Sequence, residues 1–282
     1  VGSEMCIRDR YLIGGDSLEY FDTWYHPEKI VQVCPIAVCA REGYDDIRDR
    51  AKRLEQKFGG EFILLNYVGK DVSSSEVRAK LLMGETPIEI DERVLDAIRR
   101  KRLFCEYEDM AKKLRSYQTE ELFAHSKAVV LTAMRLNSLH NLKQDFTKVF
   151  LACFLHDNAK KRPSLDGLDV PCDAVGTPVL HQFLGAEKAR RDFDIQDEDV
   201  LDAIRYHTTA KANMTMLEKL VYTADSVSFD RDYEPIPKIR EIAMRNFDEG
   251  FKAVLKYTYD KVGASGKPMH PLTQEAVNCY LG

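Results

Sequence analysis

The 282-residue sequence predicts two domains of different class, a partial α/β domain followed by an all-α helical bundle. Three observations carry this expectation. From Tyr11 to Phe104 short β-branched runs alternate with amphipathic stretches, the pattern of strands joined by crossover helices. Beyond residue 105 strand-like runs vanish and apolar residues recur at helical spacing. Within that second region, Phe146 to Lys161 reads FTKVFLACFLHDNAKK. Phe146, Val149, Phe150 and Cys153 form one helix stripe, and Asp157 continues it one turn on. An unpaired carboxylate at a core position is costly, so Asp157 implies a compensating cation, either a metal ion or a basic side chain.

Composition supports both domains and narrows the class. An apolar content of 44% is enough for two cores. A net charge of −5 with no basic block argues against a nucleic-acid or membrane-surface binder. The 7 cysteines, at positions 6, 34, 39, 105, 153, 172 and 279, form no CxxC pair. Their odd count argues against a disulfide framework and for a reducing, cytoplasmic setting. No apolar run reaches the ~18 residues of a transmembrane helix.

Taken in order, residues 1–10 (VGSEMCIRDR) show no periodicity and read as a foreign, disordered leader. YLIGGDS reads as a short strand with a Gly-Gly turn, followed by helical turns from Ser17 to Trp24. Ile30 to Cys39 is a β-branched run interrupted by Pro35, Tyr44 to Phe58 a charged amphipathic helix, and Phe62 to Leu65 a strand. Ser74–Met83 and Asp91–Arg99 are expected helices with acidic first turns. These elements predict a parallel, doubly wound sheet of Rossmann-like type. The charged stretch Glu106 to Ser116 marks the change of composition. Helices are then expected over 119–139, 144–157, 178–193, 197–206, 215–228, 238–262 and 271–281, with a Pro- and Gly-bearing loop at 161–177.

The order IGGDSLEYFDTW, CPIAVCAREGY, DVSSSEVRAKLLMGE, VLDAIRRKRLF is similar to the C-terminal half of the bacterial nicotinate-nucleotide adenylyltransferases of NAD biosynthesis. The resemblance implies nucleotide contacts by Gly14 and Asp16 after the first strand. It implies others by Ser74, Ser75 and Arg78 of VSSSEVR, where the family reads ISSTxIR against the ATP phosphates. Family members open with a loop of the type GGTFDPxHxGH. Here that loop is missing, and His26 is the only histidine before residue 125. Residues 11–104 are therefore expected to be a truncated nucleotidyltransferase remnant without adenylyltransferase activity, and 105–282 a second domain. A remnant sheet exposes an edge, so association is expected, in the simplest case as a homodimer.

The second domain holds further residues with the chemistry that His156 and Asp157 ask for. His125 sits in the first long helix, and His181 opens the HQFLGAEKARR helix. His207 ends the apolar face of Val200, Leu201 and Ile204. Asp225 continues the stripe of Leu217, Leu220, Val221 and Ala224. Imidazole with carboxylate suits borderline divalent ions. His140, in the polar NSLHN, and His270, in KPMHP, are expected not to bind metal.

His125, His156-Asp157 and Asp225 resemble the H…HD…D signature of the HD-domain metal-dependent phosphohydrolases. FLHDNAKKRP, HQFLGAEKA, DAIRYHTTAKANMTMLEKLVYTADSVSFDRDYE and KPMHPLTQEA, in this order, resemble the YqeK-type symmetrical diadenosine tetraphosphate hydrolases over residues 106–282. Some members of that family carry a fused adenylyltransferase. Ser226 to Phe229 departs from the pattern, where relatives tend to carry a Y-I-E-P-type segment. The resemblance implies two divalent ions, iron first and manganese, cobalt or nickel as alternatives. Asp157 would bridge them, with His125, His156 and Asp225 on one and His181 and His207 on the other. Water activated by the metals would attack a central phosphate and release two ADP. Lys160 would assist catalysis, and Lys161, Arg205 and Arg231 would hold the polyphosphate. The residues themselves also admit an HD phosphohydrolase for another nucleotide, or a nucleotide-binding regulatory module without turnover.

Overall fold

The computed structural model describes residues 9–41, 46–69, 72–161 and 163–282. The chain divides into two compact units, 1–72 and 73–282. Most of the expected leader, the start of the expected helix at Tyr44, and Arg162 lie outside the described residues. No described helix is long and apolar enough to cross a membrane.

In the first unit, β1 (Tyr11–Gly14), β2 (Ile36–Arg41) and β3 (Phe62–Gly69) form a parallel sheet in that order. Ile13 pairs with Val38, and Val38 with Leu64. Parallel neighbours need crossovers, which are supplied by α1 (Gly15–Glu19), a 3-10 turn at Phe21–Thr23, α2 (Pro27–Val33) and α3 (Ile47–Phe58). Leu18, Phe21, Val31, Ile36, Val38 and Leu54 form the core. The run Ile30 to Cys39, expected as one interrupted strand, is split between two elements. Pro27 starts a helix whose last turn is Ile30–Val33, because proline's fixed φ suits a first helical turn and Val31 is buried against the sheet core. Burial outweighs the strand preference of these β-branched residues. Val31 in turn demands glycine opposite: Gly60 has φ +80°, and a Cβ there would meet Val31 Cβ at 2.6 Å.

The second unit is all-helical among its described residues. It contains α4 (Ser74–Leu82), α5 (Glu92–Lys101), α6 (Glu108–Tyr117), α7 (Glu120–Leu139) and α8 (Phe146–Leu155). These are followed by α9 (Leu180–Phe193), α10 (Glu198–Arg205), α11 (Met216–Ser226), α12 (Ile236–Arg245), α13 (Phe247–Ala264) and α14 (Pro271–Tyr280). One apolar cluster runs through it, from Val129 and Phe150 to Leu201, Val221 and Phe251. Ala79, Leu82 and Met83 join that cluster, so the segment from Ser73 packs with the helices rather than with the sheet. The charged stretch at Glu106 to Ser116 becomes α6, whose Ala111 and Leu114 are buried.

The helix expected over 238–262 is two helices. Asn246 adopts extended geometry (φ −149°, ψ 117°) and caps α13 by accepting from Glu249 N at 3.1 Å. The reversal lets the two helices cross closely at Gly250, where a Cβ would lie 2.3 Å from Ala243 Cα.

Candidate metal centre

Local signals set the helices that carry the site. Thr119 caps α7 by accepting from Leu122 N at 3.3 Å, and Asp145 caps α8 through Lys148 N at 3.0 Å. Thr215 and Glu218 form a capping box at the start of α11. His125 projects from the second turn of α7 and Asp225 from the last turn of α11.

His156 and Asp157 are placed differently from the expected helical stripe. α8 ends at Leu155, and the chain continues in tight turns, with Asn158 N donating to Leu155 O at 3.1 Å and Lys160 N to Asp157 O at 3.2 Å. The turn is held from outside by Asn158 Nδ2, which donates to Gly185 O of α9 at 2.8 Å. His156, Asp157 and Asn158 are all 0% exposed.

Three imidazoles share one local device. His156 Nδ1 meets Cys153 O at 2.7 Å, His181 Nδ1 meets Pro178 O at 2.8 Å, and His207 Nδ1 meets Ile204 O at 2.7 Å. A carbonyl only accepts, so each Nδ1 carries the proton and each Nε2 presents a lone pair. Those lone pairs converge on Asp157. Its Oδ2 lies 3.3 Å from His156 Nε2, and its Oδ1 lies 3.4 Å from His181 Nε2 and 3.5 Å from His207 Nε2. His156 Nε2 and Asp157 Oδ1 are buried without a hydrogen-bond partner, which is the condition expected of donors awaiting a cation.

On the other side, His125 Nε2 lies 2.9 Å from Asp225 Oδ1, and His156 Nε2 lies 3.7 Å from the same oxygen. His125 Nδ1 meets Asp230 Oδ2 at 2.9 Å. Among the described residues, two groups can hold a divalent ion: His125, His156 and Asp225, and His156, Asp157 and His207. His181 borders the second group through its contacts to Asp157 and His207.

Electrostatics follow from this packing. Burial favours the neutral form of Asp157, yet its carboxyl is held well below its usual range. Asp225 is held low against burial by Arg231, His125 and His156. Burial lowers His156, and burial with His207 takes His181 down to about 4, so both rings are neutral and able to ligate. His125 is the exception. Burial opposes its charge, but bonds to Asp225 and Asp230 raise it to about 9.

The buried carboxylates also have basic partners. Lys160 Nζ lies 2.7 Å from Asp157 Oδ2, and Arg231 Nη2 lies 2.6 Å from Asp225 Oδ1. Both side chains are partly exposed, 39% and 25%. Lys161 is exposed. Arg205 is not brought to the cluster: it pairs with Asp202 and with Glu187 at 3.2 Å, beside a cleft lined by Phe183, Tyr206 and His270.

Gly14 ends β1 in the first unit, while Ser74, Ser75 and Arg78 belong to the first two turns of α4 in the second. Arg78 donates to Ser74 O at 3.2 Å and lies 4.8 Å from the Phe146 ring centroid. The side chain of Asp16 lies outside the described residues. His26 is exposed beside Glu28, His140 bonds to Ala243 O, and His270 caps α14.

Sequence reading missed Asp230 and Gln118. Asp230 stands next to Arg231 in FDRDYE, where a second acid beside a chosen base was the available signal. Gln118 Nε2 reaches Asp157 O at 3.3 Å and Ser126 Oγ at 3.0 Å, and nothing in the sequence marks that contact.

The HD domain family matches residues 122–230, the span that holds His125, His156, Asp157, His181, His207, Asp225 and Asp230. Similarity to whole proteins extends further. The symmetrical bis(5'-nucleosyl)-tetraphosphatase of Bacillus subtilis is 31% identical over 163 residues, covering 55% of this chain and 87% of that protein. The chain belongs to this HD-domain family. A Mycoplasma genitalium protein named "Probable nicotinate-nucleotide adenylyltransferase/Ap4A hydrolase" is 24% identical over 264 residues, covering 89% of this chain and 71% of that one. A crystal structure from Clostridium acetobutylicum, titled a "predicted HD superfamily hydrolase involved in NAD metabolism", matches with a TM-score of 0.58 at 30% identity. The match covers 62% of this chain and 97% of that one.

Proposed function

We propose that the helical unit of this HD-domain protein hydrolyses dinucleoside tetraphosphates symmetrically, giving two ADP from diadenosine tetraphosphate. The observation that carries the reading is the convergence of three Nδ1-anchored imidazoles on the two oxygens of Asp157, with His125 and Asp225 completing the far side. The resemblance to symmetrical tetraphosphatases supports this choice of substrate.

The donor set fits divalent ions. Asp157 faces His156 with one oxygen and His181 and His207 with the other, which suits a carboxylate shared by two ions. His125, His156 and Asp225 would hold one ion, and His181 and His207 the other. Nitrogen and oxygen donors in this mixture accept iron, manganese, cobalt or nickel, and we place iron first. Such ions, when bound, supply Lewis acidity and lower the pKa of water.

The chain's own residues do the rest. Burial of the cluster excludes bulk water and strengthens every charge interaction within it. Lys160 and Arg231 are partly exposed and can exchange their carboxylate partners for phosphate oxygens. Lys161, exposed next to Lys160 in the chain, is a further candidate for the polyphosphate. In the reaction, water oxygen bonds to one of the two central phosphorus atoms. The bond from that phosphorus to the central bridging oxygen breaks, and ADP leaves on each side.

Residues 11–104 are read as adenylyltransferase-derived and 105–282 as the hydrolase. His26, the histidine of that segment, is exposed and paired with Glu28. The test is product analysis with Fe²⁺, Mn²⁺ or Co²⁺. Two ADP per diadenosine tetraphosphate is expected; ATP plus AMP, or bound nucleotide without turnover, overturns the reading.

A further inference from the structure

One buried amide joins the two segments that present His181 and His207. Gln182 on α9 is 0% exposed. Its Oε1 accepts from Thr208 N and Thr209 N, each at 3.0 Å, and its Nε2 donates to Thr209 Oγ1 at 2.9 Å. Only the carbonyl oxygen can accept from two N–H groups, so these partners set the orientation of the amide. Thr209 is fixed in turn: its hydroxyl donates to Ala210 O at 2.9 Å, and its carbonyl accepts from Thr273 Oγ1 of α14 at 2.8 Å.

The position of this clamp is what gives it a role. Gln182 directly follows His181, and Thr208 directly follows His207. The bonds from His181 Nδ1 to Pro178 O and from His207 Nδ1 to Ile204 O orient each ring against its own segment. Neither sets the distance between the rings. Thr208 Oγ1 does cross the gap, reaching His181 Nε2 at 3.1 Å, but it occupies the ligand atom itself and is lost when that atom binds a cation. The amide of Gln182 crosses the same gap and leaves both Nε2 atoms free, 3.2 Å apart.

We propose that Gln182 is the positioning residue for the ion held by His181 and His207, acting by fixing the α9 segment against the turn after α10. This rests on the two-ion reading above. Gln182 has no bond to His125, His156 or Asp225 among those of the described residues, so its effect is confined to one of the two ions.

Co²⁺ titration of the full chain, followed by calorimetry and by the visible d–d bands, tests this. The unsubstituted chain should take up two ions. Gln182→Met fills the space but makes neither set of bonds. It should take up the first ion normally and bind the second ~10–100-fold more weakly, the range seen when outer partners of ligands are lost. Gln182→Glu keeps both acceptor bonds to Thr208 N and Thr209 N and should restore the second ion. If far-UV circular dichroism shows that Gln182→Met does not fold, Gln182→Asn decides by the same criterion, since it withdraws the amide by one methylene. Uptake of both ions with unchanged affinity, equal weakening of both, failure of Gln182→Glu to rescue, or a single ion in the unsubstituted chain each overturns the proposal. Two bound ions without hydrolysis of diadenosine tetraphosphate would sink the substrate assignment alone.

Discussion

His181 Nε2 and His207 Nε2 lie 3.2 Å apart, although neither can donate to the other, because each ring's proton is already committed at Nδ1 to a carbonyl of its own segment. Two lone pairs held this close repel unless a cation lies between them and Asp157 Oδ1, the nearest anion. In Asp157→Ala the anion is removed and Lys160 loses its partner. We expect metal content to fall from two ions to at most one and turnover to fall at least ~10³-fold, about 4 kcal/mol of transition-state stabilisation. Elemental analysis and ADP release measure the two effects; turnover retained by the variant would remove Asp157 from the centre.

Asp230 acts on His125 from the side facing away from the cluster, through Nδ1 at 2.9 Å, while Nε2 faces Asp225. An outer carboxylate of this kind holds the ring and raises its basicity as a ligand. Asp230→Ala should weaken the ion held by His125, His156 and Asp225 by ~10–100-fold and spare the other. Asp230→Asn keeps an acceptor and should lie between the two. Competition with a chromophoric chelator reads both affinities, and an unchanged profile in Asp230→Ala would show that Asp225 alone positions the ring.

Much of the architecture was legible because it rests on periodicity. Most helices of the second unit and the three short strands follow from local apolar spacing, though α6 and the break between α12 and α13 do not. That spacing also drew attention to His125, His156, His181, His207 and Asp225, which the structure brings together. What was not legible depends on distant partners. α8 stops before Asp157 because the following turn is tied to Gly185 by Asn158, 27 residues away in the chain. Ile30–Val33 is helical because Val31 meets the core of the sheet. The ion pair between Arg205 and Glu187 joins residues 18 positions apart, and nothing local in the sequence marks it. Residues 73–104 resemble an α/β family in sequence, but Ala79 and Leu82 bury themselves among the helices of the second unit.

The crossing of α12 and α13 sets two opposing effects against each other at Gly250. Alanine in a helix interior is favoured over glycine by about 1 kcal/mol. Here the added Cβ would sit 2.3 Å from Ala243 Cα and 2.4 Å from Ala243 Cβ, so the helices must separate. Overpacking of this kind costs ~1–3 kcal/mol, and because the obstacle is backbone the upper part of that range should apply. Gly250→Ala is therefore expected to destabilise on balance, lowering the urea midpoint with the m-value unchanged. A raised midpoint would mean that α12 can move aside without loss.

His125 gives the metal-free protein a pH dependence of known sign. Its pKa is raised from 6.5 to about 9 by Asp225 and Asp230 against burial. A raised pKa stabilises the fold fully below the unfolded value and loses that contribution as pH climbs through the folded one. The metal-free chain should therefore lose up to roughly 3 kcal/mol between pH 6.5 and 9, seen as a falling Tm. Metal binding runs in the opposite direction, because the ion needs the neutral ring. Uptake at pH 7.5 should release about one proton from His125, detectable as a dependence of the calorimetric heat on the buffer's ionisation enthalpy. Affinity at that site should rise as pH approaches 9. His125→Gln removes the titrating ring and should flatten the stability curve of the metal-free chain; if the slope persists in that variant, the titrating group lies elsewhere.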